Sequence, residues 1–151
     1  FQPYFLDVTD HARKGDSQLL EVPISIFFIE WPLFNKYFHV LKKYVKDPQN
    51  ITLRALYKLG YKPVWFRPCP DRDMKDLIQV YRVARLLKVD YIEMIFHSSE
   101  LMPGGSKNTK DKESVEKLYE IFTFLFQFLY NENVESVTLA EYASTIIKNR
   151  N

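Results

Sequence analysis

The spacing of apolar and polar positions changes several times along the chain, and each change predicts an element. Residues 19–29 (LLEVPISIFFI) run β-branched and aromatic with little polarity, the pattern of a strand without a solvated face. Pro23 cannot donate to a ladder, so this strand is expected at an edge or bulged there. Residues 61–67 (YKPVWFR) predict a second strand. Residues 91–97 (YIEMIFH) predict a third, in which Ile92, Met94 and Phe96 alternate with Glu93, Ile95 and His97. Ser98, Ser99 and Glu100 follow at once, and Pro103-Gly104-Gly105 forces a turn.

Helical periods fill the intervals. After Trp31-Pro32, Phe34, Tyr37, Phe38, Leu41, Tyr44 and Val45 share one stripe, with His39, Lys42, Lys43 and Lys46 opposite, until Asp47-Pro48. Thr52 opens a short helix that Gly60 closes. Asp71 or Asp73 caps an amphipathic helix reaching about residue 88, with Met74, Leu77, Ile78, Tyr81, Ala84 and Leu87 inward and Lys75, Gln79, Arg82 and Arg85 outward. From about 113 to 130 only Glu116, Glu120, Thr123, Gln127 and Asn131 form a thin polar stripe, so this helix is expected to be buried around most of its circumference. Residues 134–137 predict a last short strand. Thr138 and Glu141 form a capping box for a final helix to about 148. Residues 1–17 read as a loop and 106–112 as a mobile polar one.

Strands alternating with helices imply a mostly parallel sheet with right-handed crossovers. The expected fold is therefore α/β, a single domain over 1–151 in which 18–149 alternate strand and helix. Three main strands and one short one make half of a barrel rather than a whole one. Half a barrel leaves sheet edges and apolar helix faces uncovered, so self-association, or retention of the missing N-terminal half, is expected.

Composition adds exclusions. The 151 residues suffice for one domain with a core. A formal charge of +2 gives no field that would argue for nucleic acid or an anionic membrane. One cysteine, Cys69, excludes an intrachain disulfide and fits a reducing, cytoplasmic compartment. No apolar run reaches the ~18–20 residues of a membrane span. The opening Phe1-Gln2-Pro3-Tyr4 has neither signal-like character nor an initiating methionine, so the chain is expected to begin within a larger product or to have lost its first residues.

In parallel α/β architectures, chemistry collects where strands end, which makes His97 the candidate reactive group. The alternative is a histidine satisfied by backbone in a rim loop. Asp7, Asp10, His11 and Asp16 could gather a metal but follow no ligand spacing, and a solvated connector is the better reading.

Three pieces resemble a known family. Leu20-Glu21-Val22-Pro23-Ile24-Ser25, Trp65-Phe66-Arg67-Pro68 and, most specifically, the run FHSSELMPGGS from Phe96 to Ser106 are similar to the C-terminal half of polysaccharide deacetylases, carbohydrate esterase family four. The likeness covers residues 19–143. It is greatest to bacterial members found with capsule and lipopolysaccharide genes. The resemblance implies a partial (β/α) barrel and metal-dependent hydrolysis of N-acetyl groups on sugars. His97 matches the general acid that protonates the departing amine, and Ile95 the apolar residue that packs on the acetyl methyl. Trp65, Arg67, Ser98, Ser99 and Glu100 fall where the family contacts substrate. Trp65 could stack on a sugar and Arg67 hold a carboxylate; a core indole and a rim salt bridge are the alternatives.

The family's metal-binding Asp pair and His-x-x-x-His segment have no counterpart here. His11, His39 and His97 are the only histidines. The divalent metal, zinc or similar, is thus expected in the full-length enzyme and not on this chain, which alone is expected to be inactive. The second reading is a non-catalytic carbohydrate-binding or assembly module. A third is a dimerising protein that uses the aromatic helix. An isolated all-helical or antiparallel body, or a His97 deep inside packing with no cleft beside it, would count against the carbohydrate reading as a whole.

Overall fold

The computed structural model describes residues 2–11, 13–29 and 63–150. The two helices expected between Trp31 and Gly60, with His39, lie outside the described residues. Ile24–Leu125 form one compact unit, and Gln2–Pro23 with Phe126–Asn151 form another.

The first unit is organised on an antiparallel pair. β3 (Ile26–Phe28) lies against β4 (Pro63–Trp65), with Ile26 opposite Trp65 and Phe27 opposite Val64. The Phe66 N–H extends the ladder by donating to Ser25 O at 2.9 Å. Strand alternation then sorts the side chains. Val64 and Phe66 are buried, while Trp65 between them is 41% exposed.

Helix α1 (Met74–Leu86) packs across both strands. Asp73 caps it, accepting the Lys75 N–H at 2.9 Å. Its buried face is Leu77, Val80, Tyr81, Val83 and Ala84. Lys88 ends the helix in the left-handed region, φ 55°, and the Val89 N–H returns to Ala84 O. Residues 91–97 form no regular element and reach the residues flanking the pair through two hydrogen bonds. Glu93 N–H donates to Ser25 Oγ at 2.8 Å and Ile95 N–H to Phe66 O at 3.3 Å.

Helix α2 (Lys112–Asn131) begins behind Asp111, whose carboxylate accepts the Ser114 N–H at 2.8 Å. It buries one stripe, Val115, Leu118, Ile121, Phe122 and Leu125. Phe122 meets Phe96 edge to face at 5.1 Å between ring centres.

In the second unit, β1 (Tyr4–Phe5) pairs antiparallel with β2 (Leu20–Glu21). Asp7 folds the connection by accepting from Thr9 N, Thr9 Oγ1 and Asp10 N. Helix α3 (Leu139–Lys148) starts at the Thr138–Glu141 capping box. Just beyond it, Arg150 lies 4.0 Å over the Phe5 ring and donates to Ser17 O at 3.1 Å.

The partial (β/α) barrel expected from the sequence is not what forms. Both described sheets are two-stranded and antiparallel, and no described strand has a parallel neighbour. The run 19–29 is interrupted around Pro23, and its two ends, β2 and β3, join different sheets. The expected central strand at 91–97 is not formed. Residues 1–17 carry a strand where a loop was expected, and 134–137 form none. The three helices agree with their periods, except that α2 leaves Tyr119, Phe124, Phe126 and Tyr130 exposed instead of burying most of its circumference.

These burials set the cost of truncation. Phe66→Ala, at a site 1% exposed, is expected to cost about 3–5 kcal/mol. Phe124→Ala, 52% exposed on α2, is expected to stay within about 0.5 kcal/mol. Urea unfolding midpoints measure both.

Candidate functional site

From His97 the chain makes two successive turns. The Glu100 N–H donates to His97 O at 2.9 Å, closing a 3₁₀ turn over Ser98–Leu101. Gly104 then takes φ +76°, a conformation that side chains resist. A Cβ on Gly105 would overlap the Ser99 carbonyl oxygen, so the second turn can rest on the first only with glycine there. Ser106 and Thr109 bridge that second turn.

Between the turns lies a buried charge. Glu100 is 2% exposed. Its Oε2 accepts the His97 N–H at 3.0 Å, and its Oε1 accepts Arg67 Nη2 at 2.8 Å and Asn108 Nδ2 at 3.0 Å. Burial by itself would raise the carboxyl pKa. The hydrogen bonds from His97, Asn108 and Arg67, with the guanidinium charge, outweigh it and hold Glu100 below the usual carboxylate range. Arg67 reaches in from the chain just after β4, and its buried Nε has no hydrogen-bond partner among the described residues.

The residues singled out from the sequence occupy distinct places around this network. His97 and Ser98 are exposed at the loop surface. Ser99 is half-buried, its carbonyl under Gly105. Ile95 is half-buried and tied to Phe66, the residue between Trp65 and Arg67. Trp65 stands exposed on β4. Arg67, Glu100 and the His97 backbone meet directly, whereas both Glu100 oxygens are engaged inside the protein. The sequence reading missed Asn108 and Thr109, having taken 106–112 as mobile. The signal was there in Gly104-Gly105 followed by Ser106-x-x-Thr109, since a hydroxyl three residues ahead can collect the turn's N–H groups.

No three His, Cys, Asp or Glu side chains converge as a metal site among the described residues. In the N-terminal hairpin, Asp7 is taken up by its own turn, where the hydrogen bonds of Thr9 lower its pKa. The described residues therefore do not fit the divalent metal that the resemblance implies. No described helix is long and apolar enough to cross a membrane. No protein-family model, curated protein or solved structure matches the chain.

The Arg67–Glu100 pair makes a stability prediction. Glu100→Gln leaves a three-quarters buried guanidinium without its counter-charge, expected to cost about 2 kcal/mol near neutral pH. Because the folded-state pKa is lowered, the contribution of the carboxylate is complete above its unfolded value of about 4.3 and is lost as pH falls through the folded value. The stability gap between wild type and Glu100→Gln should therefore narrow on acidification below about pH 4, as urea unfolding at a series of pH values would show.

Proposed function

We propose that this chain carries the general-acid part of a hydrolase that removes N-acetyl groups from the sugars of a bacterial surface polysaccharide. The observation that carries the reading is His97, exposed at the loop surface while its own backbone N–H is held by the buried, ionised Glu100. A group that hands a proton to a departing amine needs access to substrate and a fixed origin. The antiparallel pairing of the described strands counts against the reading; what supports it is the exposure of His97 and the likeness of the loop FHSSELMPGGS.

In this reading the oxygen of water bonds to the acetyl carbonyl carbon as one water proton passes to a carboxylate base on the missing part of the enzyme and the carbonyl π pair moves onto oxygen. The carbonyl then re-forms as the C–N bond breaks with its electron pair going to nitrogen. That nitrogen takes the proton of the His97 imidazolium, leaving a neutral imidazole, an amine and acetic acid, whose remaining proton goes to solvent to give acetate. Ile95 offers the acetyl methyl an apolar neighbour, Ser98 and Ser99 offer hydroxyls to the sugar, and Trp65 offers a ring to stack on. The divalent metal belongs to the rest of a longer polypeptide, and the chain by itself is inactive. A cytoplasmic setting goes with the free thiol of Cys69.

The test uses the complete gene product and N-acetylated oligosaccharides. His97→Ala should lower kcat by roughly 10²–10⁴-fold and leave the melting temperature within about 2 °C, as for an exposed side chain. Turnover that survives the substitution overturns the reading.

The exposure of Trp65 on a strand whose neighbours are core favours one alternative, a carbohydrate-binding module without chemistry. Titration calorimetry separates the two. Binding that ignores chelator, vanishes in Trp65→Ala and comes without turnover belongs to the module.

A further inference from the structure

The turn that carries Asn108 is more elaborate than a connector between the loop and α2 requires. Ser106 Oγ accepts the N–H groups of Asn108 at 3.1 Å and Thr109 at 3.2 Å, and lies 3.0 Å from Thr109 Oγ1. Thr109 is fully buried, and its carbonyl accepts the Gly104 N–H at 2.8 Å. So anchored, the turn presents one donor to the rest of the loop, Asn108 Nδ2 on Glu100 Oε1.

We propose that Asn108 is a positioning residue which, by fixing the rotation of the Glu100 carboxylate, sets the backbone from which His97 reaches substrate. The terminal torsion of a glutamate is broad and roughly two-fold, so burial alone does not orient its oxygens. Two donors on Oε1, Arg67 Nη2 and Asn108 Nδ2, leave Oε2 directed at the His97 N–H. Arg67 holds a competing donor in reserve, its buried Nε. A guanidinium prefers to grip a carboxylate through two parallel bonds. Without Asn108, Glu100 turns toward that fork and Oε2 leaves the His97 N–H. The catalytic consequence rests on the reading of His97 as the acid; the structural one does not.

Hydrogen exchange of the His97 amide, followed by NMR on the whole chain, tests the structural step. Asn108→Ala should lower its protection by about tenfold or more, and Lys107→Ala should leave it unchanged. The groups facing Glu100 are Arg67, the His97 N–H and residue 108. In Asn108→Asp two carboxylates therefore meet at neutral pH and open the loop. One shared proton at about pH 5 recreates the donor and restores protection. In the complete gene product, Asn108→Ala should lower kcat about tenfold with KM within about twofold, and Asn108→Asp should recover toward wild type on the same acidification. Full protection of the His97 amide in Asn108→Ala overturns the proposal. Lost protection with unchanged kcat overturns its catalytic half. Lost protection in a protein whose wild type turns nothing over supports the positioning link and refutes the acid reading instead.

Discussion

A carboxylate withdrawn from water stays ionised only if other donors replace the solvent, and in this chain the replacement determines how a loop is shaped. The oxygens of Glu100 take three donors, one from the strand region, one from the first turn and one from the second. None of the three is close to another in sequence except through the loop itself. The arrangement therefore exists only when β4 has placed Arg67, Gly105 has let the turns touch, and Thr109 has been buried. Removing any of these strands a charge or a polar group inside the protein. The exposed His97 thus sits on one of the most constrained backbone stretches of its unit.

That constraint matters more for the functional reading than the sheet does. A parallel sheet would have aimed strand ends at a common site by architecture alone. The antiparallel β3–β4 pair gives no such convergence, and Trp65 and the loop share the neighbourhood of Phe66 only through Arg67 and the single Ile95 hydrogen bond. What joins Arg67 to the His97 loop is a single side-chain charge pair, not the layout of a sheet.

Helices were legible because their signals are local. The 3.6-residue period of α1, its Asp73 cap and the Thr138–Glu141 box all lie within a turn or two of what they predict. Strand partners were not legible, since alternation of strands with helices leaves direction open and Pro23 turned one apparent strand into two short ones. The extent of burial of α2 was misjudged because aromatic residues such as Phe124 and Tyr130 count as core by type while standing in solvent. At the site, His97 was visible from its place before the turn. The inward turn of Glu100 was hidden, because Ser98 and Ser99 make the stretch look solvated and its partner is 33 residues away. Asn108 was hidden for the same reason.

The second unit is discontinuous in the chain, and that has a consequence for how the protein emerges from synthesis. Its hairpin, Tyr4–Phe5 against Leu20–Glu21, is a two-stranded ribbon of the kind that is marginal in water by itself. Arg150, which lies over Phe5, is translated long after the hairpin. The residues 24–125 of the first unit are all available before it. Assembly of this unit is therefore out of step with translation: the hairpin is made well before the residue that lies over it.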